Sequence, residues 1–264
     1  MWAKLIGTMS TLFQVFIGID ITSGHKPVTF LALDADRKPL AIGEGDVSDA
    51  LAYAVGQQAG VLAAINAPAR PNNGRMARSE VRQSLQPPPE RGKLKALRQA
   101  EFELFNLGAD LPQTPSSAEH ALPWMKRGFQ LVERLESFGY RPFPTESEPE
   151  GPAARQWLEV QANAAFWNLL GANPLPAGSL EGRIQRQLAL DDLDLDVPDA
   201  MGFFEEITRY KLLKGNLPVK YVLPQAEINA WLAAYTAWLA ASQPVRVKRF
   251  GDAEEGLIFL PCKG

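Results

Sequence analysis

The chain has 264 residues, a formal net charge of −3 and 46% hydrophobic residues. This length is enough for one large globular domain or two small ones, each with a buried core. With only two histidines and the single cysteine Cys262, a zinc cluster, a disulfide framework and a histidine-dependent triad are poorly supported. Any bound metal would therefore be a hard cation held by oxygen atoms.

The sequence lacks the features of a membrane or secreted protein. No run reaches the roughly 20 apolar residues that a membrane helix needs. Residues 1–16 contain one lysine and an interrupted apolar stretch, without a small-residue cleavage site. We therefore predict a cytoplasmic protein with no membrane contact. Its oligomeric state is not predictable from these features.

The first 66 residues predict the opening of an α/β domain. Three β-rich runs with short connections predict an antiparallel meander. A helix capped by Ser48 then leads to a buried fourth strand, which can lie parallel to the first. The predicted strands are 12–20, 28–33, 40–45 and 61–66, and the helix covers about 49–59.

The remaining sequence predicts further helices around two or three more strands. A basic, Pro/Arg-rich stretch and two helices form an insertion at about 70–138. One α/β domain spanning 1–264, with helical insertions, is the simplest interpretation. The later predicted elements are helices at 91–107 and 124–138, a strand at 157–160 with a helix to 170, helices at 179–190, 199–214 and 225–240, and a hairpin of 246–250 with 256–260.

Polar residues stand at the ends of apolar strands. Asp20 ends the first strand, Asn66 ends the fourth, and Glu159 lies in the strand at 157–160. If these strands are parallel neighbours, the side chains point into the crevice beyond their carboxyl ends, where open α/β sheets bind ligands. Glu227 and Asn229 occupy the first turn of the last long helix. Singly, each is better explained as a turn cap or helix-start residue, but their joint placement favours a functional site.

Four short motifs together resemble a known family. They are GID at 18–20, INAP at 65–68, EVQANAAF at 159–166 and EINAWLAA at 227–234. In order and spacing they resemble an uncharacterised family of predicted ribonuclease H-like nucleases, over most of residues 20–240. The resemblance implies a ribonuclease H-like mixed sheet, in which three antiparallel strands precede parallel strands and helices flank both faces.

The same resemblance implies a catalytic quartet. The family pattern has acids at the positions of Asp20, Asn66, Glu159 and Asn229, which together resemble a two-metal nuclease site. By that resemblance Asp20 and Glu159 are metal ligands for Mg²⁺ or Mn²⁺, and the reaction is phosphodiester hydrolysis.

This sequence departs from the pattern at decisive positions. Asn66 and Asn229 are neutral, through natural loss or deliberate replacement, and Gln161-Ala162 stands where His or Tyr followed by Pro is usual. Glu227, Glu146 and Glu148 are possible substitute acids. Two hypotheses follow: a metal-dependent nuclease-type hydrolase with a partly degraded site, or an inactive nucleic-acid-binding or scaffold protein that keeps the fold. An actin-like ATPase using the loop at 21–26 is a weaker third.

A basic segment raises the question of a partner. Between Arg70 and Arg98 lie eight basic residues and two acidic ones. Such a segment can bind nucleic acid by neutralising phosphates. The alternative is a solvated helical insertion balanced by acids elsewhere, such as Glu133 and Glu136. The basic residues are Arg70, Arg75, Arg78, Arg82, Arg91, Lys93, Lys95 and Arg98.

Overall fold

The computed structural model describes residues 12–21, 27–88, 93–145 and 153–263. In these ranges eight strands form one sheet. They are β1 Val15–Asp20, β2 Val28–Leu33, β3 Pro39–Gly45, β4 Val61–Asn66, β5 Arg141–Pro142, β6 Arg155–Val160, β7 Val247–Asp252 and β8 Gly256–Pro261.

The α-helices of the described ranges that are named below lie between these strands in the chain. The longer ones are α1 Val47–Gly56, α3 Gln99–Asn106, α4 Pro123–Ser137, α5 Ala162–Leu170, α6 Leu180–Asp191 and α9 Gln225–Ser242. The shorter ones are α2 Ser79–Ser84, α7 Gly202–Glu206 and α8 Arg209–Leu213.

The sheet mixes antiparallel and parallel pairing in the order β3-β2-β1-β4-β6-β8-β7, with β5 beside β6. The first three strands pair antiparallel, because their connections are too short for a crossover. Strands β1, β4, β6 and β8 pair parallel, and β7 returns antiparallel to β8. The predicted α/β class, with antiparallel strands followed by parallel ones, is confirmed.

Two predicted helices begin at different residues in the structure, and a third is divided in two. Helix α1 is capped by Asp46, not Ser48, since the Asp46 carboxylate accepts from two backbone N–H groups and Asp49 completes a capping box. The helix predicted at 91–107 begins only at Gln99, because Arg98 is extended and its N–H donates to the Glu101 side chain. The sequence predicts neither α2 nor β5.

The helix predicted at 199–214 is divided into α7 and α8. Ile207 and Thr208 are both extended between the two helices. The Thr208 hydroxyl accepts a hydrogen bond from the Lys211 N–H, which starts a second helix at Arg209. A side chain that hydrogen-bonds to nearby backbone N–H groups favours the start of a new helix over continuation of the preceding one. Thr208 does this here.

Helix α9 packs directly on β1 at a glycine. A Cβ on Gly18 would lie 2.0 Å from the Ala230 carbonyl oxygen and 2.4 Å from the Ala234 nitrogen. Strand and helix backbones are therefore in contact, which only glycine permits. This contact places the first turn of α9 beside the end of β1.

The two faces of the sheet are covered by different helices. On one face, α1 and α4 pack on Ile19, Ile65 and Trp157. On the other, α9 and α5 pack on Ala64, Leu158 and their neighbours. Among the described residues, no helix combines the length and apolar character needed to cross a bilayer.

Candidate functional site

Asp20, Asn66 and Asn229 form a buried cluster at the carboxyl ends of β1 and β4. Asp20 and Asn66 are register partners, and both are 1% exposed. Asn66 Nδ2 donates to Asp20 Oδ1 at 2.6 Å, and Asn229 Nδ2 donates to the same oxygen at 3.1 Å. The structure thus brings together three of the four predicted site residues.

The neighbours of this cluster determine how both amides are oriented. Asn66 Oδ1 accepts from the Ala162 N–H at 2.8 Å, and Asn229 Oδ1 accepts from Gln225 Nε2 at 2.7 Å. Reversing the Asn66 amide would set oxygen against the Asp20 carboxylate and NH₂ against the Ala162 N–H. The network therefore assigns the orientations. Both amides present N–H groups, not carbonyl oxygens, to Asp20.

Glu159, the fourth predicted residue, lies on the opposite face of the sheet. It is the register partner of Ile65, one residue before Asn66. Paired residues on parallel neighbours share a face, and successive residues alternate between faces. Glu159 therefore points away from the Asp20 cluster, toward the face covered by α4.

There Glu159 is paired with Arg98. Arg98 Nη1 and Nη2 donate to the two Glu159 carboxylate oxygens at 2.9 and 2.5 Å, and the Ala69 N–H donates at 3.0 Å. Arg98 Nε also donates to Glu101 at 3.1 Å. Burial alone would lower the pKa of Arg98, but the charges and hydrogen bonds of both glutamates raise it above its ordinary value. This guanidinium stays charged and neutralises Glu159.

The substitute acids do not complete the cluster. Glu227 is half-buried, and its burial, together with the charge of Glu44 on β3, raises its pKa. In the same helix turn it is Asn229, not Glu227, that contacts Asp20. Glu146 and Glu148 lie outside the described residues, as does the loop at 22–26.

The described residues do not fit a two-metal centre. No group of three or more His, Cys, Asp or Glu side chains within the described ranges could hold a metal ion. Asp20 Oδ1 already accepts from two amide N–H groups, and Glu159 accepts from an arginine. Asp20 Oδ1 and both carboxylate oxygens of Glu159 are therefore already engaged by hydrogen-bond donors. Ligation of Mg²⁺ or Mn²⁺ by Asp20 and Glu159 remains a prediction.

Several arginines of the basic segment already form ion pairs or hydrogen bonds within the fold. Arg75 pairs with Asp252 at 2.9 Å and Glu254 at 2.5 Å, on the turn between β7 and β8. Arg70 pairs with Glu136, and Arg82 donates to two backbone carbonyls. Arg91 and the side chain of Lys93 are outside the described part. Much of the local positive charge is thus already balanced by carboxylates.

A cleft of about 310 Å³ opens beside the Asp20 cluster. Its polar lining consists of amides and one arginine, with no acid among the lining residues. The sequence marks Gln161 only as a departure from the family pattern, and it assigns no site role to Asn163, Arg186 or Gln225. The lining residues are Asn66, Gln161, Ala162, Asn163, Pro174, Leu175, Pro176, Ala177, Arg186, Gln225 and Asn229.

In comparisons with protein-family models, curated proteins and solved structures, nothing matches this chain.

Proposed function

We propose that this chain is a catalytically inactive binding protein of ribonuclease H-like ancestry, which holds a ligand at the strand ends without hydrolysing it. One observation carries the proposal: the Asp20 carboxylate accepts hydrogen bonds from the amides of Asn66 and Asn229. Where the resembled family has acids that share metal ions with Asp20, this chain has neutral amides that donate hydrogen bonds to it.

Electrostatics argue against hydrolysis with two metals. Two divalent ions about 4 Å apart repel each other by on the order of 16 kcal/mol at an effective dielectric constant of about 20. A quartet of carboxylates can offset that repulsion. Here the cluster offers Asp20 alone, because Glu159 lies on the other face and is paired with Arg98.

The sheet supports the ancestry. An antiparallel meander leads into parallel strands, and an acid ends the first strand beside a polar residue that ends the fourth. This is the arrangement that the resemblance implies. Binding of nucleic acid through the segment Arg70–Arg98 is a less favoured form of the proposal, because Arg70, Arg75 and Arg98 already have carboxylate partners.

The test compares the native chain with a variant whose acids are restored. Mn²⁺ binding is measured by calorimetry up to millimolar concentration, and cleavage is assayed on single-stranded, duplex and branched nucleic acids. We expect no binding and no cleavage by the native chain. The variant Asn66→Asp/Asn229→Asp is expected to gain Mn²⁺ binding, which shows that the assay can detect a site here.

The hydrolase hypothesis makes the opposite prediction. Metal-dependent cleavage by the native chain that disappears in Asp20→Ala would overturn the proposal. The same experiment includes equilibrium binding of a labelled single strand. Salt-sensitive binding that weakens in Arg78→Gln would favour the basic segment as the binding surface.

A further inference from the structure

Arg186 is a buried arginine in the wall of the cleft beside Asp20. Its side chain is 1% exposed and lies over the Phe166 ring at 5.4 Å. Nη1 donates to the carbonyl oxygens of Leu175 and Gly182 at 2.7 and 3.0 Å, and Nη2 donates to Asn163 Oδ1 at 3.0 Å. These bonds hold the guanidinium in place at the cleft.

Among the described residues, no ion pair within 4.0 Å joins this guanidinium to a carboxylate. Its three hydrogen bonds go to neutral oxygens and use three of the five N–H donors that a guanidinium carries. Burial accordingly lowers the pKa of Arg186. A buried charge without a counter-charge is costly, and an anion in the cleft would remove that cost.

Gln225, on the α9 side of the cleft, presents an unsatisfied acceptor. Its Nε2 donates to Asn229 Oδ1, whose own amide is oriented by Asp20. Gln225 Oε1 is then buried with no hydrogen-bond donor among the described residues. A buried carbonyl oxygen without a donor costs about 1–3 kcal/mol, which a ligand hydroxyl would recover.

The surroundings favour an anion over a cation. The cleft's polar lining is amide and guanidinium, and Asp20 is not among the lining residues because Asn66 and Asn229 lie between it and the cleft. The first turns of α5 and α9 both border the cleft through Ala162 and Gln225, so the positive ends of two helix dipoles face it.

We propose that this cleft binds a small phosphate monoester that also carries a hydroxyl group. Arg186 supplies the positive charge for the phosphate, and Gln225 Oε1 accepts the hydroxyl hydrogen. A phosphate fits better than a carboxylate, because its three terminal oxygens can accept from the arginine and from amides on several walls at once. The cleft volume of about 310 Å³ is at the lower end for ligand sites, which fits a sugar-phosphate-sized molecule.

This inference rests on the proposed function, since it names the class of ligand that the inactive site would hold. Calorimetry with the full chain uses four probes: ribose 5-phosphate, ribose, inorganic phosphate and malonate. We expect ribose 5-phosphate to bind about tenfold more tightly than inorganic phosphate, with no detectable binding of ribose or malonate. Malonate binding as tight as that of ribose 5-phosphate would overturn the phosphate assignment. Equal affinity for ribose 5-phosphate and inorganic phosphate would overturn the role of Gln225.

Variants locate the binding within the cleft. Ala177 lines the cleft at a partly exposed position, so Ala177→Glu adds a negative charge and Ala177→Gln adds the same bulk without charge. We expect Ala177→Glu to weaken ribose 5-phosphate binding about tenfold or more, and Ala177→Gln to leave most of it. Arg186→Gln should abolish binding, provided that its circular dichroism is native. Equal effects of the two Ala177 variants would overturn the site.

The outcomes separate this inference from the proposed function. If no probe binds and no metal-dependent cleavage occurs, the ligand assignment fails and the inactive-protein proposal stands. If ribose 5-phosphate binds in the cleft and the native chain also cleaves nucleic acid with Mn²⁺, the ligand assignment stands and the inactive-protein proposal fails.

Discussion

Asn66 and Asp20 face each other on adjacent parallel strands, and the asparagine donates a 2.6 Å hydrogen bond to the aspartate. The pair is part of a buried polar group at this end of the sheet, in which Thr29 is the register partner of Asp20 on β2 and Asn229 contacts the same carboxylate. Because a carboxylate accepts and an amide donates, the charge on Asp20 sets the orientation of Asn66, and through Asn229 also that of Gln225. A single buried charge therefore controls which atoms the cleft presents.

Asn66→Asp should destabilise the chain at neutral pH. The new carboxylate can still accept from Ala162, but it would face Asp20 as a like charge, at a cost of about 3 kcal/mol. Like charges raise the pKa of such a pair, so the folded state binds a proton more tightly than the unfolded state. The lost stability should thus return as the pH falls from 7.5 toward 5 in urea unfolding. The exposed change Asn216→Asp should show neither effect.

Arg98→Met should be strongly destabilising. It leaves Glu159 and Glu101 buried without their cation, and breaking a buried pair in this way costs about 3–5 kcal/mol. Arg70→Met removes an exposed pair with Glu136 and should cost less than about 1 kcal/mol. Chemical denaturation measures both. Similar losses for the two variants would mean that the Arg98 pair is effectively solvated.

Gly18→Ala should move α9 away from β1. A methyl group 2.0 Å from the Ala230 carbonyl oxygen cannot be accommodated by a side-chain rotation, so we expect a loss of at least about 3 kcal/mol. Gly56→Ala is the matched control, because a Cβ there meets nothing within 4 Å, and it should be neutral or slightly stabilising. Thermal unfolding of both variants checks the contrast.

Glu255→Gln should stabilise the chain at neutral pH. Burial raises the pKa of Glu255, although the hydrogen bond from the Gln99 N–H and the charge of Arg98 oppose this. Because the folded state then binds the proton more tightly, ionised Glu255 costs stability above its raised pKa, and this cost disappears as the pH falls through that pKa. The Gln variant should unfold at a higher temperature at pH 7.5 and lose its advantage at low pH. A lower unfolding temperature at pH 7.5 would show that attraction to Arg98 outweighs burial.

The pairing of Asp20 with Asn66 could be predicted from the sequence. Short connections force β1 to β3 into a meander, and a helix between two buried runs allows β4 to lie parallel to β1. The face of Glu159 could not be predicted. A shift of one residue in register moves a side chain to the other face of the sheet. No local feature of the sequence shows whether residue 159 or residue 160 lies opposite Asn66.

The roles of Arg98 and Arg186 also depend on contacts distant in sequence. Arg98 is part of a basic segment, and only the pairing with Glu159, 61 residues away, identifies it as buried. Arg186 lies in a helix that its periodicity predicts, where an arginine is usually exposed. Charge and periodicity do not show which arginines the fold encloses.

The contacts of Arg75 with Asp252 and Glu254 also constrain the order in which the protein can form on the ribosome. Arg75 and Glu254 are 179 residues apart, and Gln99 likewise binds Glu255 on the same turn. β8, which follows that turn, is a parallel neighbour of β6 on the side away from β4. The segment around Arg75 and Arg98 therefore completes its contacts only after nearly the whole chain has been synthesised. Truncation near residue 250 should release it to proteases even if the first four strands remain folded.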